Sequence, residues 1–143
     1  MIYEHNANIL IALGTLPSWR KASRWARAMQ KEARGRELLV SGDVDGALEN
    51  FRASVEEKAA AVAEIEDEAR EGFRRIELAR NYLGIATLER MRGCVAAARA
   101  GCEEAIRILE IRGDSAVASG KSVEILREAR EALVALDERV NPS

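Results

Sequence analysis

Apolar side chains return every three or four residues over most of the chain, the spacing of one face of a helix, and strand-like alternation is almost absent. From Trp19 the small or apolar positions Trp19, Ala22, Ala26, Met29 and Ala33 form one stripe, widened by Trp25. A longer series runs from Val44 through Leu48, Phe51, Val55, Ala59, Val62, Ile65, Ala69, Phe73, Ile76 and Ala79 to Leu83, with no proline to interrupt it. As one helix from Asp45 to Met91 it would be about 70 Å long, against a radius of gyration of about 15 Å for a compact chain of this size. The pattern therefore predicts two antiparallel helices folded back near Glu66 to Glu71, with Asp67 as N-cap and Glu68 and Glu71 in the next first turn. Val123, Leu126, Ala129, Leu133 and Leu136 give a terminal helix over 116–139, and Asn6 to Leu13, ended by Gly14, a short first one.

Between these stripes lie corner signals. Gly42-Asp43, Arg92-Gly93 and Arg112-Gly113-Asp114-Ser115 each put glycine where a helix stops, and Asp43 and Asp114 or Ser115 where the next begins. The stretch Asn81 to Ile111 then reads as a close-packed helical hairpin, with small or apolar residues at Leu83-Gly84, Gly93, Ala98, Cys102, Ala105 and Ile106. An upstream copy carries Gly35, Leu38, Gly42, Ala47, Phe51 and Ser54. The expected fold class is all-α, a single domain over 1–143 with about six helices in antiparallel hairpins.

These small residues at the helix contacts and corners resemble those of the tetratricopeptide (TPR) repeat, over residues 29–113, with the N-terminal helices at 6–28 and the terminal helix as a cap. The spacing is longer than the family's, since Gly42 and Gly93 are 51 residues apart, as in arrays with extended helices. The aromatic usual early in the first helix of a repeat is missing from both copies. The resemblance implies a short right-handed array that binds a peptide or protein in a groove lined by the first helix of each hairpin. It places Glu32, Arg36 and Leu39 of the first copy, and Asn81, Ile85 and Leu88 of the second, on that groove. The Lys/Asn carboxylate clamp of chaperone-binding members is matched by Asn81 alone, so chaperone tails are not the expected ligand. The implied role is an interaction scaffold or adaptor, as part of a bacterial regulatory system; the competing role is a self-assembling helical bundle, a homodimer or larger oligomer without a peptide groove. Two repeats are few for a solenoid, whose ends expose apolar faces unless capped or paired.

Composition narrows the chemistry. Apolar residues make up 48% and charged residues 32% of the 143, and a chain of this length needs no metal or disulfide to fold. A net charge of −2 counts against a surface built wholly for nucleic acid. One local exception is the basic stripe Arg20, Arg24, Arg27 and Lys31, beside two tryptophans; it either docks on nucleic acid or an anionic membrane surface or meets the acids of a neighbouring helix or subunit, for which the chain supplies Glu56, Glu57, Glu64, Glu66, Asp67, Glu68 and Glu71. Cys94 and Cys102, eight residues apart on one helix, are too far apart to pair and read as small buried thiols; with His5 the single histidine, no metal site is expected. No cofactor motif, phosphate loop or nucleophile set occurs, and adjacent acids such as Glu56-Glu57 and Glu103-Glu104 diverge on a helix, so the expectation is not an enzyme. The run Ile9 to Leu13 is too short to span a membrane, and the start lacks a secretion signal, so the chain is expected in the cytoplasm.

Overall fold

Residues 16–65, 68–110 and 120–140 are described by a computed structural model, in which they form helices and the corners between them, with no strand. The helices are α1 (Leu16–Val40), α2 (Val44–Ala63), α3 (Glu68–Met91), α4 (Val95–Glu110) and α5 (Gly120–Val140). The expected helix over Asn6 to Leu13, the Asp67 cap, the Arg112 to Ser115 turn and the side chains of Trp19, Arg20 and Ala22 lie outside what is described. The long apolar series divides as expected, into α2 and α3. By contrast, α1 runs unbroken across Met29, so the expected division between N-terminal helices and repeat core falls inside one helix.

Two corners share one geometry. Gly42 and Gly93 both have positive φ, +91° and +80°, which a side chain would strain. At the first, Asp43 N–H donates to Leu38 O at 2.9 Å and Gly42 N–H to Leu39 O at 3.1 Å; at the second, Cys94 N–H donates to Glu89 O at 2.8 Å and Gly93 N–H to Arg90 O at 3.0 Å. This is the Schellman pattern, which satisfies the carbonyls left over at a helix end. Asp43 then caps α2, its Oδ1 accepting from Gly46 N–H at 2.9 Å.

The corners turn α1 back on α2 and α3 back on α4. These two hairpins make the most extensive contacts; α2 packs on α3, and α5 lies against α4 and the edge of α3. Helix α2 is consequently buried on two faces. Leu48, Val55 and Val62 join Leu78, Ile85, Leu88, Ile108, Leu109 and Ile125 in the main core. Toward α1, the buried Ser54 hydroxyl donates to Ala28 O at 2.8 Å. Gly35 closes this hairpin, since a Cβ there would stand 2.6 Å from the Phe51 ring. At the far end, Arg130 reaches Glu110 at 2.5 Å and Arg99 pairs with Asp137, both across α4 and α5.

Four packing expectations are corrected. The face of α1 that turns inward carries Trp25, Ala28, Glu32 and Gly35, whereas Ala26 and Met29 are exposed. The apolar stripe misleads there because a glutamate and a glycine occupy contact positions. Phe73, expected inside, is 58% exposed, and α3 buries Leu78, Ala79, Ile85 and Ala86 instead. Gly84 is exposed with open space beyond it; the close approach of α3 and α4 is made by Gly101, whose added Cβ would meet Ala86 Cβ and Tyr82 O, each at 3.0 Å. Cys102 is buried but Cys94 is exposed, because it sits at the corner before α4.

Candidate functional site

Among the described residues, no Cα of α1 comes within 8 Å of α3. Both helices pack on α2 and stand apart above it, leaving a groove of about 340 Å³. Glu32, Arg36 and Leu39 form one wall; Arg80, Asn81, Gly84, Ile85, Thr87 and Leu88 form the other; Phe51 and Ser54 of α2 are the floor. All six residues expected on a groove, Glu32, Arg36, Leu39, Asn81, Ile85 and Leu88, thus line the same one. Helical periodicity explains the convergence, since positions 32, 36 and 39 share one face of α1, and 81, 85 and 88 one face of α3.

The six differ in what they offer a ligand. Ile85 and Leu88 are nearly buried and belong to the core as well as to the groove wall. Asn81 is mid-helix, not at a helix start, and is held by its neighbours: Lys58 Nζ donates to its Oδ1 at 2.6 Å, and its Nδ2 donates to Glu32 Oε1 at 2.8 Å. Lys58 also reaches Glu32 Oε2 at 3.3 Å and lies over the Trp25 ring, 5.1 Å from its centroid. Arg74 of α3 is stacked on the same indole at 4.0 Å. Glu32, Lys58, Asn81 and Trp25 thereby join three helices at one node, and Arg36 adds a looser contact of 3.7 Å to Glu32.

Lys58 is the residue that sequence reasoning missed. It is 1% exposed, on the α2 face turned toward α1, where a lysine in a run of alanines reads as surface. A hint was available in Glu32, an acid on the face of α1 that also carries Ala28 and Gly35. Glu89 was missed for the same reason; it is buried under Arg52 and Arg92, and Arg92 further reaches Asp45 at 2.8 Å across the two corners.

The basic stripe is occupied from within. Glu57 of α2 lies 3.7 Å from Arg24, 3.8 Å from Arg27 and 3.7 Å from Lys31, and Glu64 is 2.6 Å from Arg24. These cations meet the acids of the next helix. Elsewhere, burial and then Glu103 push the Cys102 thiol up from its ordinary pKa, and burial together with Glu104 raises Tyr82. Among the described residues no group of three His, Cys, Asp or Glu could hold a metal ion, and no helix is long and apolar enough to cross a membrane. No family model, curated protein or solved structure matches the chain.

Proposed function

We propose that the protein is an interaction module whose α1–α3 groove receives a segment of a partner protein, in the manner of a short TPR-like array. The observation that carries this reading is the distribution of exposed apolar groups. Among the described residues, every exposed large hydrophobic side chain belongs to α1, α3 or α5: Met29, Leu39, Val40, Phe73, Met91, Val123 and Val134. Helices α2 and α4 carry none. Unpartnered apolar side chains on α1, α3 and α5, with Leu39 on the wall of the groove itself, offer surface for a partner. The repeated corner geometry at Gly42 and Gly93 supports the repeat reading.

A photoreactive residue at Leu39 tests the proposal, with Glu103 on the exposed side of α4 as control position. Cross-links from position 39 to another protein, lost when Gly84→Leu fills the groove, are expected, with none from position 103. Cross-links only between copies of this chain would favour the self-assembling bundle, a reading to which the exposed Phe73 and Met91, at 58% and 73%, lend weight. The mass by light scattering then decides between them.

A further inference from the structure

If the groove is a docking site, the charges around it select its occupant. Four ionic side chains approach it: Glu32, Lys58, Arg36 and Arg80. Glu32 and Lys58 neutralise each other inside the fold, and Asn81 occupies both of them. Arg36 touches only the Glu32 oxygen that already accepts from Asn81, at the longer distance of 3.7 Å. Arg80 is exposed and has no carboxylate partner among the described residues; Glu77, one turn before it, is turned to Arg74 at 3.5 Å. The nearest acid beyond Arg36, Glu37, pairs with Arg34 at 3.1 Å. The groove therefore offers one under-used guanidinium from each wall and no free acid.

Beside these cations the groove also has an apolar lining. Leu39 faces Ile85 and Leu88 across the groove, and nothing stands within 4 Å of where a Cβ of Gly84 would be. We infer that the occupant is an internal segment of a partner protein in which an apolar side chain is flanked on both sides by carboxylate side chains. The apolar group lies over Gly84 against Leu39 and Leu88, and the two acids pair with Arg36 and Arg80. Arg36 and Arg80 belong to different helices whose Cα atoms stay more than 8 Å apart, so each is assigned its own carboxylate. Guanidinium favours carboxylate through its paired N–H donors, and at a groove rim such pairs set specificity and rate of encounter more than affinity.

The test uses the full chain and displayed random dodecapeptides, joined to the carrier at both ends so that neither terminus is free. Selection on the wild-type chain is followed by counter-selection on Gly84→Trp, which leaves peptides that need the groove. These are expected to be rich in Asp and Glu around an apolar residue, whereas Arg36→Glu/Arg80→Glu selects Lys and Arg in the same places. A selected peptide with acetylated and amidated ends should bind about tenfold more tightly than its Asn/Gln counterpart, and lose that advantage on the double variant and in high salt. Groove-dependent peptides that are neutral or basic overturn the inference and leave the docking reading standing. Peptides that bind Gly84→Trp as well as wild type overturn both. Melting temperatures of the variants, expected within a few degrees of wild type because all three positions are exposed, show that each result comes from a folded chain.

Discussion

Lys58 of α2 donates to Asn81 of α3 at 2.6 Å while its other partner, Glu32, comes from α1. One buried ammonium thus fixes the separation of the two groove walls. Removing a partner from a buried pair leaves the other charge uncompensated, so Lys58→Met should lower stability by about 3–5 kcal/mol in urea melts. The double variant Lys58→Met/Glu32→Gln should recover a large part of the loss, since it removes both charges. A Lys58→Met loss below about 1 kcal/mol would mean that the node does not hold the helices together.

Glu57 serves three cations, and a single carboxylate shared in this way responds to salt. Its side chain is partly exposed, as are those of Arg24, Arg27 and Lys31, so each contact is individually weak. Glu57→Gln should cost about 1 kcal/mol at low salt, because it also leaves three like charges close together, and the deficit should shrink toward zero at high salt. Denaturant midpoints at two salt concentrations measure it. An equal deficit at both would place the effect in packing.

Much of this fold was legible because a few residues have one structural use. Gly42 and Gly93 stop helices, Asp43 starts one, and the apolar series from Val44 to Leu83 is too long for a single helix in so small a domain. The residues that line the groove were reached through the resemblance to the repeat, and each set shares a wall because a helix returns to the same face every three or four residues. The inner face of α1 was not, because its contacts are made by Gly35, which has no side chain to show periodicity, and by Glu32, whose partner Lys58 is known only once the helices are folded. Gly84 and Gly101 look alike in the sequence, and only the packing of α4 on α3 makes one exposed and the other a contact.

The thiols give a pH-dependent prediction. Burial, then Glu103, raise the Cys102 pKa, so the folded state holds this proton more tightly than the unfolded state does. The stabilisation is whole below the ordinary thiol pKa and falls as pH rises above it, since the unfolded chain then ionises first. Cys102→Ala should flatten that alkaline decline in stability, although it is less stable at neutral pH. In the wild type, a thiol reagent should modify the exposed Cys94 at once and Cys102 only as the chain opens. Equal labelling rates for the two cysteines in the folded protein would contradict the packing of α4 on α3 and α5.

Two glycines in one hairpin should respond to alanine with opposite sign. Gly84 lies in the interior of α3 with open space around it, so a methyl group there meets nothing, while the unfolded chain loses freedom. Gly84→Ala should therefore stabilise the protein by about 0.5–1 kcal/mol. Gly101 on α4 has the same helical backbone, but its added methyl would stand 3.0 Å from the Tyr82 carbonyl oxygen and from the Ala86 methyl, one of them backbone that cannot turn aside. The helix-propensity gain is then outweighed by overpacking, and Gly101→Ala should cost about 1–3 kcal/mol net. Thermal melts of the two single variants and the double variant check both signs. Should both alanines stabilise, α3 and α4 are farther apart than described; should both destabilise, Gly84 does not face an open groove, and the reading of that face as a docking surface fails with it.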